Sequence, residues 1–253
     1  MPKTVIPLYI SLDRGNRTTQ FLNPRIDLDR EKQYLIKCIN MTSFFTYPNI
    51  FEQSTNEGTR NNTLNFNVGA QGYTITFLQG LYDIDSFNDA VSRELVNLGL
   101  SSTLIVFSAD GPTQRVVVQL NSANVSINFG TSLCADILGF TAHGIIGPGN
   151  AGIFYYSDET ANFNRVIQVL VHCSLAQGFY NNTSNVSSDS DVISSVIINA
   201  SPGAQIQYDP NTAISCYLTS NRINDFTVYL TDQDGRDLIV DDPWSVTFEI
   251  SED

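Results

Sequence analysis

The sequence predicts an all-β fold, a single jelly-roll antiparallel β-sandwich with one or two short inserted helices. Most apolar residues occur in short runs that alternate with polar residues, which is typical of strands with one buried face. Polar segments rich in glycine and proline separate these runs, and the long ones favour Greek-key or jelly-roll connections. Repeated strand–helix–strand alternation is absent from the sequence, which argues against a parallel α/β sheet.

The start of the chain predicts an extended N-terminal arm over residues 1–25, followed by a single jelly-roll domain over residues 26–253. The arm combines a few prolines with one short apolar patch: Pro2, Pro7 and Pro24, and Val5, Ile6, Leu8 and Ile10. We expect the arm to add a strand to a neighbouring subunit, with Pro7 at an edge or an unpaired position. Deletion of residues 1–20 would then leave a folded domain that assembles poorly.

Strand-like runs continue along the rest of the chain, and we expect about nine to eleven strands in total. The clearest runs lie at residues 34–39, 43–47, 64–68, 73–77, 114–120, 124–129, 165–175, 192–199, 204–208, 223–230 and 244–250. Two hairpins are expected, one between 114–120 and 124–129 and one between the last two runs. The second would turn at Asp234-Gly235, a favoured hairpin sequence.

One helix interrupts the strand pattern. Its signal is a stripe of apolar residues that recur every three or four positions: Ile84, Phe87, Val91, Leu95 and Leu98. Asp85 or Ser86 can cap the first amides, and Gly99 suits a left-handed stop. The sequence therefore predicts a helix with one buried face over about residues 84–98.

The charge of the chain argues against a nucleic-acid partner. The formal net charge is −13, and 15% of the residues are charged, against about 25% in ordinary domains. Phosphate binding needs clustered lysine and arginine. The nearest approach is Arg14, Arg17, Arg25 and Arg30, which are interleaved with aspartates. We interpret this segment as solvated or in contact with a neighbour.

The four cysteines are far apart in the sequence: Cys38, Cys134, Cys173 and Cys216. No Cys-x-x-Cys motif or finger-spaced histidine accompanies them, so zinc is not expected. Most lie in apolar runs, where free thiols are ordinary core residues, although the sequence leaves their redox state and three disulfide connectivities open. Neither a secretory signal nor a run of about 18 apolar residues is present, so we expect an intracellular product without a membrane span.

The candidate catalytic and metal-binding residues form no recognisable set. A cupin-type metal site needs a His-x-His pair and a third histidine, whereas this chain has only His143 and His172. Cys173 cannot pair with its neighbour His172 along a strand, because adjacent side chains point to opposite faces. The run from Asp232 to Asp237 departs from the EF-hand pattern and favours a turn over a calcium site. We therefore expect no enzyme activity, no cofactor and no catalytic or metal site.

The order of the motifs carries more information than any one of them. The helix and its flanking strands end in Cys134-Ala-Asp-Ile-Leu-Gly-Phe140, the long run at 165–175 follows, and the chain closes with Leu-Thr-Asp-Gln-Asp-Gly-Arg-Asp-Leu and the alternating run at 244–250. Over about residues 70–253 this order resembles the single jelly-roll vertex (penton) proteins of virophages, polinton-like viruses and adintoviruses.

The resemblance implies a structural virion protein that is assembled inside the host cell. Such a penton subunit forms homopentamers at the fivefold vertices of an icosahedral capsid and contacts neighbouring major capsid protein subunits. Its interfaces could use scattered aromatics such as Tyr155, Tyr156 and Trp244. The alternative is a carbohydrate- or receptor-binding β-sandwich module, which the same jelly-roll pattern with asparagine-rich and aromatic loops allows.

Overall fold

The computed structural model describes residues 5–52, 60–142, 144–177 and 191–253. Strands make up 49% of it and helices 8%. Every strand pair in the sheets of this part of the chain is antiparallel. The all-β class, the antiparallel sheets and the short helices are therefore confirmed, and they agree with a jelly-roll sandwich.

The chain forms two compact units. Unit 1 combines both ends of the chain, Met1–Tyr47 and Val166–Asp253, and unit 2 is the continuous segment Pro48–Arg165. The grouping of residues 26–253 into one domain stays a prediction.

Sheet A of unit 1 joins the two ends of the chain. Its strand order is β1 (Val5–Leu12), β17 (Trp244–Glu252), β3 (Tyr34–Phe44), β15 (Ser215–Leu218) and β12 (Ala176–Gln177), with β14 (Gln205–Tyr208) also beside β3. The register runs from Val5 opposite Ser251 to Leu12 opposite Trp244. Strand β1 is thus an edge strand whose only described ladder is with β17.

Sheet B of unit 1 has four strands. Their order is β13 (Val192–Ile197), β11 (Gln168–Cys173), β16 (Arg222–Thr231) and β2 (Arg17–Asp27). Alternate residues of its central strands, such as Val169, Val171, Val228 and Leu230, are fully buried. That alternation is what a sheet with one core face requires.

A bulge in β3 keeps its apolar residues in the core. The buried residues before the bulge are at even positions, Tyr34, Ile36 and Cys38. After the bulge the buried residues are at odd positions, beginning with Met41. The register against β17 shifts between Thr247 and Phe248, opposite this change of phase. An extra residue at a bulge moves the following side chains to the other face, so one long strand keeps facing the core.

The segment expected to be an arm is paired within its own chain from residue 5 onward. Strand β1 lies against β17, and β2 lies against β16. Leu8 and Ile10 of β1 are buried, which accounts for the apolar patch without a neighbouring subunit. Pro7 lies on an edge strand, the place in a sheet where proline is tolerated.

Unit 2 contains two sheets and two helices. Sheet C has the order β5 (Gln71–Thr76), β4 (Thr63–Val68), β8 (Val125–Asn128) and β9 (Ile145–Ile146), and sheet D has the order β10 (Ile153–Thr160), β7 (Arg115–Leu120) and β6 (Ile105–Asp110). The helices are α1 (Ile84–Asn97) and α2 (Ala135–Leu138). Both sheets and both helices contribute to one hydrophobic core.

Helix α1 confirms most of the predicted stripe. Phe87, Val91 and Leu95 are buried, but Leu98 is 40% exposed, so its predicted burial is wrong. Leu98 is the C-cap residue, where the helix ends and its geometry no longer keeps the side chain on the stripe. The N-cap is Asp83 rather than the expected Asp85 or Ser86.

Both predicted hairpins are wrong. The runs at 114–120 and 124–129 form β7 and β8, which belong to sheets D and C, and β7 pairs with β6 instead. Strands β16 and β17 belong to sheets B and A. The Asp234-Gly235 turn is present, with a bridge between Thr231 and Asp237, but the chain then crosses to the other sheet.

Candidate functional site

A polar cluster surrounds His172 on sheet B. The Nδ1 atom of His172 donates to Oδ1 of Asp191 at 2.7 Å, and its Nε2 atom lies 2.9 Å from the Thr231 hydroxyl oxygen. The Tyr229 hydroxyl donates to the same carboxylate, 2.9 Å from Oδ2. The His172 and Tyr229 rings stack with their centroids 4.2 Å apart. The strand register brings these groups together, because His172 and Tyr229 are opposite each other on β11 and β16.

Arg17 extends this row of side chains onto the edge strand. It lies opposite Tyr229 on β2, and its guanidinium carbon is 3.9 Å from the centre of the Tyr229 ring. Its Nη2 atom is 3.7 Å from Asp237. Cation–π contacts of this kind stabilise by about 0.5–1 kcal/mol at exposed positions. The row therefore ties three strands of sheet B together on one face.

The pKa values in this cluster reflect its internal contacts. Burial alone would raise the pKa of Asp191, but the hydrogen bond and charge of His172 and the Tyr229 hydroxyl bring it below its ordinary value. Burial, and then the hydrogen bond to Asp191, raise the pKa of Tyr229 to about 12. Asp191 is thus held as a carboxylate and Tyr229 as a neutral phenol, which fits a structural role for His172.

The neighbouring Cys173 belongs to the core. It is fully buried, and burial raises the pKa of its thiol to about 12. Nucleophilic cysteine chemistry needs a thiolate, and the contacts of His172 go to Asp191 and Thr231. The two residues therefore form no dyad.

The other candidate metal ligands are engaged elsewhere. Oδ1 of Asp232 accepts the backbone N–H groups of Asp234 and Arg236, each at 2.9 Å, and Asp232 is 2% exposed. The carboxylate therefore organises the turn. In the described ranges no group of three or more His, Cys, Asp and Glu side chains could hold a metal ion. His143 lies outside the described residues.

All four cysteines are free and buried. Burial raises the pKa of the Cys38 thiol to about 12 and that of Cys216 to about 11. No helix in the described part of the chain is long and apolar enough to cross a membrane.

Unit 2 contains an open cavity of about 300 Å³ beside the start of α1. Its lining combines apolar side chains with two carboxylates, a guanidinium and three amides: Asp83, Ile84, Ala109, Asp110, Gln114, Arg115, Val116, Ala161, Asn162, Phe163 and Asn164. Groups of this kind can donate to and accept from a hydroxyl-rich ligand. No sequence pattern indicates this cavity, because its residues come from four separate segments.

The surface aromatics differ from the expected set. Tyr156 is exposed, Tyr155 packs partly against the core of unit 2, and Trp244 is buried, which is inconsistent with a surface contact. Sequence reasoning missed Phe21, which is 82% exposed on β2. The sequence signal for an exposed Phe21 is that the alternate positions around it, 17, 19, 23 and 25, are all polar.

Comparison with known proteins gives a likeness over the full length of the chain. No protein-family model matches the sequence, and no curated protein matches it. Among solved structures, the crystal structure of the selenomethionine-labelled mavirus penton protein matches with a TM-score of 0.51 and 12% sequence identity. The likeness is one of fold. It covers 99% of this chain and 100% of that chain, so the resemblance that the ordered motifs indicate is confirmed at the level of the fold.

Proposed function

We propose that the chain is a structural capsid protein, a penton subunit that forms homopentamers at the fivefold vertices of an icosahedral virion. The observation that carries this proposal is the end-to-end likeness in fold to the mavirus penton protein. A likeness that leaves neither chain with a large unmatched part favours a shared role over a shared module.

The contacts around the candidate catalytic groups favour a non-catalytic role. The His172 cluster is closed by its own partners, and the Cys173 thiol is buried with a raised pKa. Catalytic groups instead meet in a cleft with pKa values near the working pH.

The surface also favours assembly. Large exposed apolar side chains occur on both units, although the chain carries a net charge of −13. Exposed apolar groups that collect in patches are typical of surfaces that another molecule covers. On this proposal the covering molecules are further copies of the chain and neighbouring major capsid protein subunits in the virion, assembled inside the host cell.

Imaging of purified particles by electron cryomicroscopy tests this function. We expect density at the fivefold vertices that fits five copies of the chain, and mass spectrometry of the same particles should detect it. Particles whose vertices are built by a different protein, together with a chain absent from them, would contradict the proposal.

A second candidate function is glycan binding through the cavity of unit 2. The mixed lining of carboxylate, amide and guanidinium groups favours it. On a glycan array, binding that Arg115→Ala abolishes and Arg93→Ala preserves would support this function, since Arg93 lies outside the cavity and pairs with Glu94. Retained binding in Arg115→Ala would contradict a site in the cavity.

A further inference from the structure

We infer that adjacent copies meet through two different flanks of unit 1, the β1–β2 flank of one copy against the β13–β15 flank of the next. This inference rests on the proposed function and names the contact that would close the pentamer. Ring closure requires such a heterologous contact, in which each copy offers one patch and receives another.

The β1–β2 flank is defined by two edge strands that lie on the same side of unit 1. Strand β1 ends sheet A and β2 ends sheet B, and a four-residue loop connects them. Gly15 of this loop donates to Val240 at 2.8 Å and accepts from Trp244 Nε1 at 2.7 Å, while Asn16 accepts from Leu230 at 3.0 Å. The loop therefore bonds to residues on both sheets and fixes the two edges beside each other.

The β13–β15 flank lies on the side of the same two sheets that is away from β1 and β2. Strand β13 ends sheet B, and the chain then crosses to sheet A, where β14 pairs only with β3 among the described strands and β15 lies between β3 and the two-residue strand β12. The crossing is held by a hydrogen bond from Phe45 to Ala204 at 2.9 Å. Edge strands have one row of backbone groups without a partner strand, and another chain can bind there.

The exposed apolar side chains of unit 1 collect on these flanks. Among the described residues, the large exposed hydrophobics of the β1–β2 flank are Val5, Tyr9 and Phe21. Those of the β13–β15 flank are Ile197, Ile214 and Tyr217, together with Ile167, whose carbonyl accepts from Ile198 beside the end of β13. These seven are all the large exposed hydrophobics of unit 1 within that part of the chain. Phe21 and Ile197, on the two edges of sheet B, are the most exposed of them at 82% and 74%.

The charges of the two flanks are complementary. Residues 5–27 contain three arginines and two aspartates, a positive balance in a chain with a net charge of −13. Residues 191–218 contain two aspartates, Asp191 and Asp209, and no lysine or arginine. The β1–β2 flank of one copy therefore attracts the β13–β15 flank of another copy more than it attracts its own equivalent, which is the bias that a heterologous contact needs.

Native mass spectrometry of the full chain and three variants tests the contact. Phe21→Asp disables the first flank, Ile197→Asp disables the second, and Ile145→Asp is the control, since Ile145 is 61% exposed but belongs to unit 2. We expect the parent chain and the control to form pentamers and each flank variant to remain a single chain. The far-ultraviolet circular dichroism spectrum at room temperature should be unchanged in all three variants, because the altered side chains are exposed.

An equimolar mixture of the two flank variants tests whether unlike flanks bind each other. A heterologous contact predicts pairs that stop at two copies, because each pair uses the one intact flank of each variant. Pentamers that persist in both variants, or an equal loss in the Ile145→Asp control, would overturn this inference while the proposed function stands. A chain that particle imaging shows to be absent from the fivefold vertices would overturn the proposed function itself.

Discussion

Units 1 and 2 differ in how far apart in the sequence their partners lie. In unit 1 the first described strand pairs with the last, with Val5 opposite Ser251. In unit 2 two hairpins, β4–β5 and β6–β7, join strands that follow each other in the chain. Local pairings can form from a short segment of the chain, whereas long-range pairings need the whole chain to be in place. Closing long loops also costs more entropy before the contacts are made.

The two units also differ in how their cores are built. The core of unit 2 centres on Phe87 of α1, whose ring lies 4.5 Å from that of Phe77 and 5.2 Å from that of Phe107. The core of unit 1 is made from the facing residues of strands, with Leu8 and Ile10 supplied by the N-terminal edge strand. We therefore expect substitutions at different elements to destabilise the two units: α1 in unit 2 and the N-terminal edge strand in unit 1.

The largest effect is expected from removing residues 1–12. The deletion loses the whole of β1 with two buried side chains, Leu8 and Ile10. Each would cost about 2–5 kcal/mol on truncation to alanine, and a whole domain is stable by only about 5–15 kcal/mol. We expect a much lower melting temperature of unit 1 by differential scanning calorimetry, whereas Ser11→Ala, at an exposed position of β1, should melt like the parent chain.

This outcome would separate the two interpretations of the N-terminal segment. The arm hypothesis predicts that a chain without its first residues keeps its melting temperature and loses only assembly. The pairing of β1 with β17 predicts the reverse order, loss of stability first.

A somewhat smaller effect is expected from Leu95→Ala in α1. Leu95 is fully buried in the core of unit 2, and loss of its side chain with the residual cavity should cost about 2–5 kcal/mol. Arg93→Ala and Asn97→Ala, on the exposed face, should stay within about 0.5 kcal/mol of the parent chain. Urea unfolding curves measure all three, and equal losses at the three positions would contradict the orientation of the helix.

A pair of glycines in unit 2 distinguishes backbone strain from steric clash. Gly99 and Gly139 both have φ = 76°, but a Cβ at Gly99 meets nothing within 4 Å, whereas one at Gly139 would lie 2.4 Å from the Glu159 carbonyl oxygen. Gly99→Ala should cost about 1–2 kcal/mol for the left-handed backbone. Gly139→Ala should cost about 1–3 kcal/mol more, because backbone must move to admit the methyl group. Equal losses in chemical denaturation would show that the backbone around Gly139 is not tightly packed against Glu159.

The smallest effect concerns the acid dependence of unit 1. The folded pKa of Asp191 lies below the ordinary value of 3.8, so its stabilising contribution is present above about pH 4 and is lost as the pH falls through the lowered value. Asp191→Asn should therefore flatten the fall in melting temperature between about pH 5 and pH 2. Asp241→Asn, at an exposed position of unit 1 outside both flanks, is the matched control and should keep the acid dependence of the parent chain.

The sequence indicated correctly the features that depend on local spacing. The helix, its Gly99 stop and the strand at residues 64–68 follow from periodicity and turn chemistry alone. The structure describes seventeen strands, more than the expected nine to eleven, and several lie outside the predicted runs, among them β2, β6 and β10. Strands β2 and β10 lack alternation. Strand β2 contains no buried residue, and β10 has apolar side chains on both faces, with Tyr155 partly buried between the exposed Phe154 and Tyr156.

The two wrong hairpin predictions show that a local turn signal does not determine which sheet the next strand joins. Asp234-Gly235 does form a turn, yet the direction of the chain beyond it is decided by where the Trp244 and Phe248 side chains find a core, which is sheet A. The His172 cluster was equally out of reach, since its members lie on three strands and a connecting segment. Only the cross-strand register places Arg17, Tyr229 and His172 in one row.

Trp244 offers a spectroscopic consequence. It is the single tryptophan of the chain, it is buried, and its indole N–H donates to Gly15. Its fluorescence therefore originates wholly from unit 1, at the place where the first and last strands meet. When the ends of the chain separate, the indole enters water and its emission shifts to longer wavelength. Far-ultraviolet dichroism in the same titration follows the helices and strands of both units, so one unmodified sample compares the unfolding of unit 1 with that of the whole chain.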